Sequence, residues 1–285
     1  MKYEVIKVLE EEKFRRLTGV KRSTFEKMIK ILNEADKSKQ GKGGRKPKRG
    51  LEERLLMALE YIREYRTYFH VSQSYGVSES TCYETIKWIE NTLIKHPDFA
   101  LPGRKAVLKR DREYELVLID ATETPIERPP KKQKPFYSGK KKRHTLKTQV
   151  LVDKKSKAVI CTSFTNGRRH DFRLFKESGV RIHPDIKTVT DTGYQGLGKI
   201  HSNSALPKKK TKKNPLTKED KRNNRALSSQ RVLNEHVIGM IKRFKIVSDR
   251  YRNRRKRFGL RFNLIAAIYN MEITPTMPIA NLFCR

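Results

Sequence analysis

The chain has 285 residues, with 66 Lys and Arg against 31 Asp and Glu, a formal charge of +35 and a pI near 10.2. That length allows one large domain, or an ordinary domain with a smaller companion. Cys82, Cys161 and Cys284 are too few and too scattered for a disulfide framework or a paired-Cys zinc site.

There is no signal-peptide core at the start and no apolar run of the roughly 18 residues that a membrane span needs. A soluble cytoplasmic protein without a membrane partner is therefore expected. The positive charge far exceeds what solubility requires and points to a polyanion, because each neutralised phosphate releases a condensed counterion. On charge alone, a nucleic-acid enzyme and a ribosomal or chromatin-coating protein fit equally.

Residues 1–36 are expected to form a small helical unit, with Phe14, Leu17, Val20, Phe25, Met28, Ile29 and Leu32 recurring at short helical steps. Residues 37–50, KSKQGKGGRKPKRG, combine glycine, proline and basic side chains and read as a flexible linker. Residues 51–97 then read as three helices, one from Leu51, one over Phe69 to Tyr75 and one over Glu79 to Leu93. Between the last two stand Gly76, suited to a left-handed helix end, Val77, directed at the core, and Ser78, a good N-cap.

Helix, glycine turn and helix make the helix-turn-helix plan, in which the second helix enters the major groove of DNA. Ser78, Glu79, Ser80, Thr81 and Lys87 are the candidate contacts. An echo of this segment, Gly19-Val20-x-x-Ser23-Thr24, lies 57 residues earlier. Any helix pair joined through glycine has a similar pattern, so the echo alone does not establish a repeat.

Residues 98–275 change to α/β texture. Strands are expected at Leu116–Ile119, Thr145–Val152, Ala158–Phe164 and Ile186–Thr190, with helices at Asp171–Ser178 and Gln230–Phe244 and a tail at 276–285. Three strands before the first helix suit a nuclease-like core better than a dinucleotide-binding fold, which needs early βαβ alternation.

Asp120 follows the apolar run LVLI, and Asp191 stands in the same relation to KTVT. Carboxylates pulled toward a core in this way need a partner. Glu235 is expected on an inward stripe with Val232, Ile238 and Ile241. Three such carboxylates would make a hard, oxygen-rich site for Mg²⁺, or for Mn²⁺ in its place. Each has a plainer reading, as a turn residue or as the partner of a base such as Arg231.

These segments resemble the transposases of bacterial insertion sequences, specifically the fifth insertion-sequence family, whose catalytic domain is related to eukaryotic Harbinger-type transposases. The matching stretches are YIREYRTYFHVSQSYGVSESTCYETIKWIE, VLIDATETPIERP, FYSGKKKRHTLKTQVLVD, the Asn166-Gly167 and His170-Asp171 pairs, DTGYQG and RVLNEHVIGMIKRFKI. The resemblance implies an RNase H-like catalytic core preceded by the all-α helix-turn-helix region, with a DDE triad at Asp120, Asp191 and Glu235. It further implies binding of transposon ends and target DNA, metal-dependent cleavage and strand transfer, and a homo-oligomer on DNA in the nucleoid. A second family signature is met by Arg231, Glu235 and Lys242, but its tyrosine position is Ser228.

Residues 128–147 carry nine Lys or Arg, among them Lys140, Lys141, Lys142 and Arg143, interleaved with Phe136 and Tyr137. Residues 242–261 carry ten more. Both runs, Lys242 included, and Arg231 are expected to face DNA. His144 and His170 are not expected to ligate metal, Asp171 is expected to cap the helix that follows it, and His236 should point away from the site. Two other functions share these features: a DNA-binding descendant without activity, and a metal-dependent nuclease without strand transfer.

Overall fold

The computed structural model describes residues 3–40, 47–109, 114–210 and 215–273. Its first half is helical: α1 (Tyr3–Ile6), α2 (Glu11–Thr18), α3 (Arg22–Gln40), α4 (Leu51–Glu64), α5 (Tyr68–Tyr75) and α6 (Glu79–Lys95). No glycine or proline interrupts the chain between Arg22 and Gln40, and α3 continues four residues into the stretch expected to be a linker. Residues 41–46, the middle of that stretch, and the expected tail at 276–285 lie outside the described residues.

The sequence echo has a structural counterpart. α2 begins at residue 11 and α5 at 68, α3 at 22 and α6 at 79, so both helix pairs keep the 57-residue offset. Each pair turns on a left-handed glycine, Gly19 at φ 82° and Gly76 at φ 61°, a conformation that other residues adopt only with strain. The N-terminal helices have no core of their own. Phe14, Phe25, Met28 and Leu32 share one apolar cluster with Leu55 and Ile86, and with Ile241 and Phe262 from the far end of the chain.

The second half contains β1 (Leu116–Pro125), β2 (Tyr137–Ser138), β3 (Arg143–Asp153), β4 (Val159–Asn166), α7 (Asp171–Ser178), β5 (Lys187–Thr190), β6 (Ser204–Ala205), α8 (Lys218–Lys242), α9 (Lys245–Ser248) and α10 (Phe258–Ile273). The sheet runs β4–β3–β1–β5–β6, with β2 paired to the start of β3. β4, β3 and β1 are antiparallel neighbours, whereas β5 and β6 join parallel to β1. This is an RNase H-like core behind a helix-turn-helix region.

Side chains alternate across the sheet as strand geometry requires. Leu118, Val150 and Val189 join the large cluster that includes α8 and α10. Val117, Ile119 and Leu151 join a smaller one with Phe175 of α7 and Tyr194.

Two boundaries differ from the sequence reading. β1 does not stop at Ile119 but continues to Pro125, because its polar extension is bonded: Thr124 Oγ1 donates to the Val247 carbonyl at 2.6 Å. α8 starts at Lys218, well before Gln230, behind a capping box in which Thr217 and Asp220 bond each other's backbone N–H. Among the described residues, no helix is long and apolar enough to cross a membrane.

The helical half is fastened to the sheet half by buried charge. Glu90 of α6 accepts from Arg261 Nε at 2.7 Å and from Arg257 Nε at 2.8 Å. Arg261, only 2 % exposed, also donates to the hydroxyls of Tyr251 and Tyr68. Glu272 of α10 accepts from Arg15 of α2 at 2.8 Å, from Arg243 at 2.7 Å and from the Lys21 backbone N–H.

These contacts correct the expectation that the basic run 242–261 faces DNA throughout. Arg243, Arg257 and Arg261 are turned to acids within the chain, Lys245 pairs with Glu64, and Arg252 donates to the Tyr65 carbonyl. Arg254, Arg255 and Lys256 remain exposed.

Candidate active site

Ile119 of β1 pairs in parallel register with Thr190 of β5. The next residue on each strand is an aspartate, so Asp120 and Asp191 stand side by side on strands about 4.8 Å apart. Asp120 sits within β1, not at its end, and its Oδ1 accepts the Ala121 N–H at 2.8 Å. Burial, and after it the charge of Asp191, push the Asp120 carboxyl up to about 6, while Arg231 of α8 acts in the opposite direction.

Asp191 ends β5 and caps the short turn Thr192–Tyr194, its Oδ1 accepting the Gly193 N–H at 2.8 Å. The two aspartates thus form a partly desolvated, like-charged pair short of positive charge. An all-oxygen donor set of this kind suits a hard divalent cation.

Glu235 is not gathered with them. Val232 is 55 % exposed and Glu235 is exposed as well, whereas Asn234, Val237, Ile238 and Ile241 make the buried stripe of α8. The expected stripe was displaced because a three-residue step drifts round a helix with 3.6 residues per turn. Arg231, one turn before Glu235, is the α8 side chain whose charge bears on Asp120. Among the described residues, no group of three or more His, Cys, Asp or Glu side chains is close enough to hold a metal ion.

Asp171 does not cap α7: the N-cap is His170, and the Asp171 carboxylate accepts from Lys147 Nζ at 2.7 Å. Lys147, 8 % exposed, also donates to the Arg169 carbonyl at 2.6 Å and lies 3.8 Å from Glu123. Neither Lys147 nor Asp171 stood out from the sequence as a member of the site. The available signal was a lysine alone in the apolar strand pattern TLKTQVLV. His144 faces the Tyr137 ring edge-on, and His236 is exposed.

The candidate DNA contacts lie on the β2–β3 hairpin, at the end of α8 and on α6. Lys140, Lys141, Lys142 and Arg143 are all exposed on the β2–β3 hairpin beside Tyr137, itself 43 % exposed. Lys242 Nζ donates to the Glu123 carbonyl at 3.0 Å, and burial together with the nearby Lys141 lowers its pKa.

On α6, Ser78 Oγ accepts the Thr81 N–H at 3.2 Å and is engaged as the cap. Glu79, Ser80, Thr81, Tyr83 and Glu84 are exposed, and Lys87 lies over the Tyr83 ring. Tyr83 was missed in the sequence, although it follows Ser80 by three residues on the same helix. Lys48 and Arg49, the last basic residues of the 37–50 stretch, share a cleft with Ser78, Thr81 and Thr85.

The profile described as "DDE superfamily endonuclease" matches residues 119–270, so it spans both aspartates, α8 and most of α10. The chain belongs to this DDE endonuclease superfamily. A second profile, "Helix-turn-helix of DDE superfamily endonuclease", matches residues 50–99, the α4–α6 region.

The chain is also 49% identical over 273 residues to a protein from Microchaete diplosiphon described as "Probable transposase for insertion sequence element IS702". That match covers 96% of this chain and 99% of the relative. The protein is accordingly a DDE transposase of an insertion sequence, an enzyme that acts on DNA. Nucleases of the superfamily use divalent metal ions.

Proposed function

We propose that this DDE enzyme binds the terminal inverted repeats of its element through α6, cuts DNA with Mg²⁺ or Mn²⁺, and joins the freed 3′-hydroxyls to target DNA. The observation that carries the reading is the register-matched pair Asp120 and Asp191, half-buried side by side with Arg231 the nearby positive charge that acts on Asp120. The pair would hold the cations, and Glu235, one turn from Arg231, would complete the ligand set after an inward movement of its side chain. Bound divalent ions would supply an activated attacking oxygen and stabilise the leaving one.

The chain's own residues position the substrate. Lys140–Arg143 and Lys242 meet phosphates beside the aspartates, with Tyr137 against sugar or base. Arg231 offsets the charge of Asp120 before DNA arrives. The exposed residues of α6 read base edges, and Lys48 and Arg49 follow the adjoining backbone. Two ends must be processed together, so the working form is a homo-oligomer on DNA at the nucleoid. The division into an N-terminal helical unit, a helix-turn-helix domain and a catalytic domain is retained as a functional one, although the apolar core runs through all three.

One observation favours a second reading, end binding without chemistry: Glu235 is exposed and does not form a three-carboxylate cluster with the aspartates. The two readings separate when the protein is incubated with a labelled duplex carrying the inverted repeat and a plasmid target, in Mg²⁺ or in EDTA. Metal-dependent nicking and a joined product, both lost in Asp191→Ala, are expected. End binding without cleavage in any divalent metal contradicts the catalytic reading, and nicking without joining reduces it to a nuclease.

A further inference from the structure

We propose that Asp171, held by Lys147, is a positioning residue for the catalytic carboxylates: it braces the Asp191–Gly193 turn and keeps the Lys147 ammonium out of the cation site. The inference rests on the metal-dependent reading above. Its first support is the commitment of the Asp171 carboxylate. Although Asp171 opens α7, neither oxygen is used to cap the helix. Oδ1 accepts from Lys147 Nζ at 2.7 Å. A Cβ at Gly193 would lie 2.5 Å from Asp171 Oδ2 and 3.0 Å from Asp191 Oδ1. The two carboxylates therefore crowd the space beside Gly193, whose N–H Asp191 accepts, and only a residue without a side chain leaves room for both.

The second support is Lys147. It is buried in the central antiparallel strand, opposite Glu123 in register. A buried ammonium requires an anion, and the closest is Asp171; Glu123 stands at 3.8 Å. Without Asp171 this cation would lose its closest anion, the carboxylate that stands between it and the Asp191–Gly193 turn, and its charge would then oppose a divalent ion held there. Tyr194 marks how near these groups lie, since Asp171, Asp120 and Asp191 all act on its buried hydroxyl.

The test is direct binding of Mn²⁺ to the full chain without DNA, followed by the paramagnetic resonance of the free ion. Asp171→Asn should weaken binding about 10- to 100-fold, the usual effect of removing a group that orients metal ligands. Lys147→Met combined with Asp171→Asn removes both charges and should recover most of that loss. Gly193→Ala, which keeps both charges but forces the carboxylates apart, should weaken binding as Asp171→Asn does.

Wild-type affinity in Asp171→Asn overturns the inference, as does a double variant no tighter than the single one. Should Asp171→Asn not fold, wild-type affinity in Gly193→Ala overturns it instead. A wild-type protein that binds no Mn²⁺ removes the metal-dependent reading itself, a separate result.

Discussion

Glu90 is a fully buried carboxylate and Asp120 a half-buried one, and their surroundings differ in kind. Around Glu90 stand two guanidinium groups in direct contact, and Arg261 is further satisfied by two tyrosine hydroxyls. Asp120 has a neighbouring backbone N–H, a second aspartate beside it, and Arg231 acting on it by charge alone. The first centre is neutralised within the chain and fixes the helix-turn-helix region on the sheet. The second has no salt bridge to Asp120 or Asp191 among the described residues, and under the proposed function it is neutralised by cations from outside.

The largest effect should come from breaking the unmatched pair. Asp191→Ala or Asp120→Ala is expected to lower strand cleavage roughly 10³-fold or more, corresponding to the several kcal/mol that metal-ion catalysis supplies. End binding measured by gel shift should be kept. At the matched centre, Arg261→Ala should cost about 3 kcal/mol in denaturant unfolding, because buried Glu90 keeps only Arg257 and the Tyr251 and Tyr68 hydroxyls lose a charged partner. Replacing both residues together by apolar ones of similar volume should recover most of that loss.

A smaller effect of opposite sign is expected at Asp120. Its folded-state pKa of about 6 lies above the roughly 3.9 of the unfolded chain, so the folded protein holds the proton more tightly. Without metal, stability should fall as pH rises from about 4 through about 6, and Asp120→Asn should be more stable than wild type by about 2 kcal/mol above that window. The smallest effect belongs to the hairpin: Lys141→Ala should reduce the salt dependence of DNA binding by about one counterion and leave stability unchanged.

Much of this architecture was legible because it repeats locally. β-branched runs marked four strands, Gly76 and Ser78 marked the turn before α6, and an aspartate ending each of two apolar runs marked the pair of β1 and β5. The start of α8 is legible too, in Thr217-x-x-Asp220, whereas the apolar periodicity begins only further along the helix.

What could not be read was pairing across distance. Lys147 meets Asp171 from another element, and Glu90 meets Arg261 171 residues away, so nothing in either neighbourhood announces its partner. The same limit made the second basic run look like a DNA surface, when several of its arginines serve the interior. On α8, Glu235 shared a three-residue step with Val232 and Ile238, but the buried stripe runs through Asn234, Val237, Ile238 and Ile241 and leaves Val232 and Glu235 outside it.

The most direct test of the unmatched pair is thermal unfolding of wild type and Asp120→Asn at pH 7.5, with and without Mg²⁺. Wild type should melt below Asp120→Asn in the absence of metal and rise when Mg²⁺ is added, while Asp120→Asn responds little. A wild type indifferent to Mg²⁺, together with an Asp120→Asn variant that melts lower, would show that the aspartate is satisfied by the protein itself and contradict the account.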